Sequence, residues 1–510
     1  MAATTTDPIR WPNSVTAAIA HLFAYLLEKP VPAPDQSFAA QGGDAESARR
    51  LRDAVSASFK VNLPNDLLAD LTFTPATIAD AITALKTKTV GHPAPMVASV
   101  QEWLPALPSQ GGLYSVDRVT RGEARPVVTG ALVFEGQLDR ARLETAVQQA
   151  MMRHDGLRLR FKTEDRQVMI RPEKEAPGIE DFGSASLSEG ALIRAAAAHA
   201  SEELDLDQGC GVRWLLAETD GGHQALIVVA HHAVADAMSK SFLLREVGET
   251  YAAGGSLNAM PLAPSFMAIA AERAAMAAGP KAEQDEAFWR QRLNPLPDDL
   301  PVPGRITDGE GAEFERRVAA YDLEPAAVER LIADAAAHSA TPFIAFAGVM
   351  ARCFAAEQDG IVSVPVSNRD RPGRQNAIGC LMQTVPLRLS GKDGAPYSRL
   401  REDVSQMLAH SALSVEELLT RGVLARKGLF EAPIGVQFQL RRAESEVIVD
   451  RADLRVRRVD PMLGINNLLP LSIDIKRGER TTVYCDYDPG LIDPAGLDTM
   501  IDAVNRALSA

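Results

Sequence analysis

The 510 residues include 53 basic and 67 acidic side chains, giving a formal charge of −14, with 46% of residues apolar and 24% charged. That length exceeds what one compact core organises, and the composition is that of a soluble, multi-domain protein. No basic run is long enough to follow a phosphate backbone, which excludes nucleic acid as a partner, and the excess acid disfavours anionic membranes. Residues 1–7 have neither the basic nor the apolar part of a secretory signal, and no apolar run reaches about 18 residues, so a cytoplasmic location is expected. Cys210, Cys353, Cys380 and Cys485 lie far apart without a C-x-x-C pair, which reads as buried free thiols rather than disulfides or a zinc ribbon.

The first 88 residues predict a small bundle of three or four helices. Val15, Ile19, Leu22, Phe23, Leu26 and Leu27 share one helical face, and Ala48, Leu51, Val55 and Phe59 share another. Pro64 and Pro75 punctuate two further short helices, the last presenting Ile78 and Ile82. Residues 89–106 contain three prolines and little periodicity, the pattern of a semi-rigid linker. Beyond it, strand-like runs at 127–134, 225–230 and 361–366 alternate with amphipathic helices over 138–154 and 239–253, a mixed α/β pattern. A composition shift near 255–300, containing Phe288-Trp289-Arg290, divides this part into two halves, 107–278 and 279–510, each expected to have its own sheet. Phe288 and Trp289 read as packing residues.

Chemistry concentrates in one segment. The apolar run Ala225-Leu-Ile-Val-Val-Ala230 meets His231-His232-Ala-Val-Ala-Asp236-Ala-Met-Ser239 and then a helix through Leu243, Leu244 and Val247. A strand that enters a polar turn and then a helix presents side chains at the edge of a sheet. Imidazole suits general-base work near neutral pH, and a carboxylate four residues beyond the second histidine can hold an imidazole or fix the loop. Structural roles are equally open at this point: Asp236 as a helix N-cap, His231 as a hydrogen-bonded core histidine. A metal site lacks a third ligand and a His-Glu-x-x-His pattern, and a serine hydrolase lacks its Gly-x-Ser-x-Gly elbow.

The segment resembles the His-His-x-x-x-Asp-Gly signature of condensation domains of nonribosomal peptide synthetases, and other blocks follow in the order of that family. They are Gly136-Gln-Leu-Asp-Arg-Ala-Arg-Leu143 with Arg153-His-Asp-Gly-Leu-Arg158-Leu-Arg-Phe161, then Leu204-Asp-Leu-Asp with Val212-Arg213. Phe288-Trp289-Arg290, Val364-Pro-Val-Ser-Asn368-Arg369, and Ile378-Gly379 with Gln383-Thr384-Val-Pro-Leu-Arg388 complete the series. The resemblance, over about 107–510, implies two chloramphenicol-acetyltransferase-like lobes in a V, with phosphopantetheine arms of donor and acceptor carrier proteins entering a tunnel between them. It implies that His232 positions or deprotonates the attacking amine or hydroxyl of a carrier-bound or small-molecule acceptor, with His231 and Asp236 supporting the loop. A buried carboxylate needs a partner, and Arg369 is the first candidate to pair with Asp236, Arg158 the second. Asn368 and Arg369 read alternatively as a solvated turn. The family glycine after the aspartate is Ala237 here, which adds a methyl and restricts positive φ.

Phe38-Ala-Ala-Gln-Gly42-Gly43-Asp44-Ala45 is similar to a peptidyl carrier protein, whose family places the phosphopantetheine-bearing serine where this chain has Ala45. The resemblance thus implies a four-helix carrier-like domain over 1–88 that binds no cofactor as written, through engineering or natural decay. The activity implied is amide or ester formation from an acyl or peptidyl thioester. The rivals are an epimerisation domain of the same superfamily, whose later acidic motif is missing, and a catalytically silent module that recruits carriers. Heterocyclisation is disfavoured because its signature carries aspartates in place of the histidines.

Overall fold

The structure is a computed structural model of the chain. It describes residues 19–20, 22–24, 27, 29, 32–33, 35–43, 47–48, 51, 55, 71–90, 102–120, 125–184, 187–255, 263–306, 316–369, 371, 373–425, 433–442, 446–451, 453–460 and 469–509. The chain divides into two compact units, Met1–Met96 and Val97–Ala510.

In the first unit, Ile19, Phe23, Phe38, Ala48, Leu51, Val55, Phe73, Ile78 and Ile82 form a core. Ile78 and Ile82 lie on helix α1 (Pro75–Val90), and Phe38 stacks on Phe73 with ring centroids 4.9 Å apart. Gly42 has φ +85°, in the left-handed region. A Cβ on Gly43 would meet the Phe38 ring at 2.2 Å, so its glycine is required by packing. Asp44 and Ala45 lie outside the described residues, as do Val15, Leu26 and Phe59.

The second unit begins with strand β1 (Leu104–Pro105) and helix α2 (Pro108–Val119). Then come β2 (Val127–Gly136), α3 (Arg140–Arg153), β3 (Leu159–Glu164), β4 (Gln167–Pro172), β5 (Ile179–Ser184), α4 (Glu189–Glu202), β6 (Val212–Glu218), β7 (Gln224–His231) and α5 (Ala237–Ala252). Two helices, α6 (Phe266–Ala277) and α7 (Pro280–Arg292), lead into β8 (Asp298–Asp299) and β9 (Arg317–Asp322). The remainder is α8 (Pro325–Ala337), α9 (Pro342–Phe354), β10 (Gly360–Val366), β11 (Gln383–Leu389), α10 (Tyr397–Ala409), α11 (Val415–Thr420), β12 (Val436–Arg442), β13 (Glu446–Arg451), β14 (Leu454–Val459), β15 (Leu471–Arg477), β16 (Thr481–Tyr487) and α12 (Pro494–Ser509).

Among the described residues, two large sheets carry the architecture. A six-stranded sheet has the order β13-β14-β2-β7-β6-β5, and a seven-stranded sheet has the order β11-β10-β12-β15-β16-β9 with β8 on β10. The run at 225–230 is continuously apolar because its sheet is covered on both faces. Leu226 and Val228 pack with α3 and α5 through Leu143, Val147, Leu243 and Val247. Ile227 and Val229 face α4 through Leu192, Ile193 and Ala196. The second sheet rests its inner face on Ala345, Phe346 and Val349 of α9 and Leu497 and Ile501 of α12.

Three features depart from the sequence reading. The stretch 89–106 enters regular structure before its end: α1 runs to Val90, and Leu104 and Pro105 pair with Ile170 and Met169 at the edge of a three-stranded sheet. An edge position suits a proline, which has no N–H to give a second neighbour. The two halves also interleave. β13 and β14 come from the second half yet complete the first half's sheet, where β14 pairs antiparallel with β2 and Leu454 and Val456 join its core. Third, Cys210 is exposed, in a β-bridge with Asp205 just before β6, although Cys380 and Cys485 are buried and all four thiols are free. No described helix is long and apolar enough to cross a membrane.

Candidate functional site

His231 ends β7 and is fully buried. Its backbone N–H donates to the Gly211 carbonyl at 2.8 Å, and its carbonyl accepts from the Val234 N–H at 2.9 Å, closing a tight turn. The Ala233 N–H donates to its Nδ1 at 3.1 Å, which leaves the ring proton on Nε2. Nε2 has no hydrogen-bond partner and stands 3.9 Å from Asp117 Oδ2, a carboxylate engaged at 2.8 Å by Arg125. Burial above all, then His232 and Arg125, depress the His231 pKa to about 3. This imidazole is therefore neutral, and its lone pair is spent inside the turn.

His232 opens the turn, and its backbone N–H donates to the Pro126 carbonyl at 2.8 Å. Its side chain is nearly buried, and its Nδ1 has no hydrogen-bond partner. Burial lowers its pKa, the Asp236 charge opposes that shift, and the Lys240 charge adds to it. The Ala233 carbonyl is held at 2.7 Å by the side-chain amide of Gln110, a buried residue in the first turn of α2 whose Oε1 accepts from the Leu107 N–H.

Asp236 is the N-cap of α5, accepting from the Ser239 N–H at 2.8 Å. Its carboxylate also accepts from both Arg369 Nη atoms, at 2.8 and 2.9 Å, and from the backbone N–H groups of Leu381 and Met382 at 3.0 and 3.1 Å. Burial alone would raise its pKa, but the Arg369 charge and these hydrogen bonds outweigh burial and lower it. Asp236 is therefore both a helix cap and half of a buried ion pair. Arg369 is buried and fully engaged, donating also to the carbonyls of Ala377 at 3.1 Å and Gly379 at 3.3 Å and to Ser239 Oγ at 2.7 Å, so it is no solvated turn residue. Ser239 Oγ donates to the Gly379 carbonyl at 2.6 Å, which seals the start of α5 to the 377–382 segment. Asn368, with φ +52°, donates from its amide to the Leu381 carbonyl at 2.9 Å.

The structure does not bring Arg158 to this cluster. Its guanidinium donates to the carbonyls of Met151, Met152 and Glu173 and ties the end of α3 to the residue just after β4. Backbone carbonyls satisfy it, which a search for charge partners overlooks. Ala237 is the first residue of α5 and is absent from the positive-φ residues, so the position makes no demand for glycine. The packing reading of Phe288 and Trp289 agrees with the contacts: Trp289 Nε1 donates to the His410 carbonyl at 2.9 Å, and Phe288 stacks on the His410 ring. Sequence reasoning missed Gln110, Asp117, Ser239 and Lys240. Lys240 alone left a signal, since it lies one helical turn beyond Asp236 on the same face.

The family model that matches this chain is the condensation domain, over residues 100–510. The chain belongs to the condensation-domain family. The condensation domain is 26% identical over 430 residues to a linear gramicidin synthase of Brevibacillus parabrevis, covering 80% of this chain and 6% of that protein. It is 28% identical over 409 residues to a phosphinothricin tripeptide synthetase of Streptomyces viridochromogenes, covering 76% of this chain and 33% of that protein. The chain thus spans a minor part of these relatives. Among solved structures, the condensation domain from monacolin K polyketide synthase superposes with a TM-score of 0.66 at 15% identity, covering 81% of this chain and 97% of the other. The first condensation domain of the CDA synthetase superposes with a TM-score of 0.65 at 21% identity, covering 80% and 96%. The mixed α/β fold is that of these domains. Domains of this family in peptide synthetases are acyltransferase-type enzymes, consistent with amide-bond formation in peptide biosynthesis.

Proposed function

We propose that the chain condenses a carrier-bound acyl or peptidyl thioester with an amine or hydroxyl acceptor, with His232 as the group that positions or deprotonates the nucleophile. What carries this reading is the state of His232: a buried imidazole whose depressed pKa keeps it neutral near pH 7, held by the Pro126 carbonyl behind it and a loop pinned by Gln110, Asp236 and Arg369. A neutral imidazole has the lone pair that a general base needs. His231 and Asp236 hold the loop and touch no reacting atom, and Arg369 is a positioning residue through Asp236. Attack of the acceptor on the thioester carbonyl forms the amide or ester bond, breaks the C–S bond and returns a thiol on the donor carrier. Holding both substrates together can supply about 7–11 kcal/mol, more than one base contributes.

Residues 1–88 fit a carrier-like bundle in this proposal, with 89–106 as its connection and 107–278 and 279–510 as the two lobes, the first completed by β13 and β14 from the second. Its support is the Phe38 core and the conformational demands on Gly42 and Gly43. Ala45 offers no oxygen for phosphopantetheine, so the donor arrives on a separate carrier in the cytoplasm.

Reconstitution with a loaded donor carrier and candidate amines and alcohols tests the reading. His232→Ala should lower kcat by roughly 10²- to 10⁴-fold and leave the melting temperature unchanged. Because the His232 pKa is lowered, the acid limb of kcat/KM should fall below the ordinary histidine value of about 6.5. Product formed by His232→Ala at the wild-type rate would remove the catalytic role of His232, and no product from the wild-type chain would leave a carrier-recruiting module.

A further inference from the structure

Helix α2 meets the turn that carries His232 at two points. Gln110, Tyr114 and Asp117 recur at i, i+4 and i+7, which sets them on one face of the helix, and all three are buried. Gln110 at one end of this stripe holds the Ala233 carbonyl, and Asp117 at the other stands against His231. Ala233 is thereby fixed through both backbone groups, its carbonyl by Gln110 and its N–H by His231 Nδ1. The second bond exists only while Nδ1 carries no proton, because a protonated Nδ1 sets one donor against another. His232 directly precedes Ala233, so the same bond governs where its imidazole lies.

The groups around His231 decide whether Nδ1 stays free. Val127 of β2 pairs with His231 across the sheet, and Gly211, ahead of β6, presents a backbone carbonyl. Among the described residues, the titratable and charged side chains that face the ring are His232 beside it, Asp117 of α2, and Arg125, two residues before β2. A carboxylate bonded to Nε2 would stabilise an imidazolium and draw a second proton onto Nδ1. Asp117 stops short of that. Its Oδ2 stands 3.9 Å from Nε2, beyond hydrogen-bond reach, while its Oδ1 accepts from Arg125 Nε at 2.8 Å. Arg125 is itself anchored, since its Nη1 donates to the carbonyls of Ser201 and Glu202 at the end of α4. The guanidinium fixes the carboxylate and opposes its charge, in keeping with a His231 pKa that burial, then His232 and Arg125, depress to about 3.

We propose that Arg125 and Asp117 are positioning residues for His232: Arg125 holds the Asp117 carboxylate just out of hydrogen-bond reach of His231 Nε2, and so preserves His231 Nδ1 as the acceptor that shapes the turn. The proposal rests on the condensation reading of His232. Removing the guanidinium leaves a buried carboxylate without its cation, and the nearest donor it can close upon is His231 Nε2–H.

Histidine labelled with 13C and 15N in the full chain reads the ring directly, and His231→Asn assigns its signal. Wild-type His231 should carry its proton on Nε2 and stay neutral down to about pH 4. In Arg125→Met it should take up a second proton between about pH 4 and about pH 6, about one to three pH units above its value of about 3. The ratio of wild-type to Arg125→Met kcat/KM in reconstituted condensation should therefore grow as the pH falls from about 8 to about 5, whereas a merely structural loss is the same at every pH. Arg125→Met with Asp117→Asn, which removes both charges together, should restore the wild-type tautomer and bring kcat/KM to within about 2-fold. Arg125→Gln, which keeps an amide donor without the charge, carries the same expectations if the methionine variant fails to fold. An unshifted His231 in a folded Arg125 variant, or a loss that is independent of pH and persists in the double variant, overturns the proposal. A shifted His231 in a chain that forms no product with any acceptor would count against the condensation reading alone.

Discussion

The histidine pair divides its labour through burial. In an unfolded chain both imidazoles titrate near 6.5, whereas folded His231 titrates near 3. Between those values the unfolded state binds more protons. The stability that a neutral His231 contributes is complete above about 6.5 and falls with acidification, by up to about 1.4 kcal/mol per pH unit. Asp236 has the opposite chemistry and the same sign: its lowered pKa contributes stability present above the unfolded value of about 3.9 and lost below it. From about pH 6.5 to about pH 4, His231, joined by His232 whose pKa burial also lowers, therefore sets this site's share of acid sensitivity. Urea unfolding of His231→Asn, whose amide oxygen can replace Nδ1 as acceptor for Ala233, should show a flatter dependence on pH over that window than the wild-type chain. At this scale the sequence is informative where chemistry is local. The need of Asp236 for a cation follows from burial cost, and Arg369 supplies it. The Lys240–Asp460 pair does not follow, because its members lie 220 residues apart and neither spacing nor periodicity connects them.

The elements around the site are fixed more tightly than their patterns suggest. α5 starts at Ala237, two residues before the expected 239, because the Asp236 side chain caps it and Ser239 Oγ bonds across to Gly379. Gly379 has φ +151°, and a Cβ there would meet the Phe266 ring at 2.1 Å, so α6 and the segment bearing Leu381 approach only across a bare backbone. Gly379→Ala should destabilise the protein by about 1–3 kcal/mol in denaturant unfolding and should disturb both N–H groups that serve Asp236. The strands at 127–134 and 225–230 are readable from apolar runs, since burial on both faces of the first sheet removes most polar residues from its central strands, and 361–366 of the second sheet is readable from its β-branched run. Leu104–Pro105 is not, because two residues at an edge leave no period to detect.

Across the whole unit from Val97 onward, the two sheets are products of both halves of the chain. The composition shift near 255–300 lies where β7 and α5 give way to the second sheet, yet it conceals the return of β13 and β14. Composition reports what a segment is made of, and strand pairing reports where it goes. Without 446–459, β2 becomes an edge strand and its core loses Leu454 and Val456. Residues 97–278 expressed alone should therefore aggregate or lack a cooperative melt, whereas the same fragment joined by a flexible linker to 446–459 should gain solubility and a sharper transition by circular dichroism.

That returning hairpin also governs how such domains can be recombined. A chimera that exchanges halves between two homologues at one crossover near 279 would seat one parent's β14 on the other parent's β2. Every residue pair from Leu454↔Gly136 to Val459↔Ala131 would then be a mismatch between lineages. A compatible exchange needs three junctions, so that 446–459 is inherited with the half whose sheet it completes.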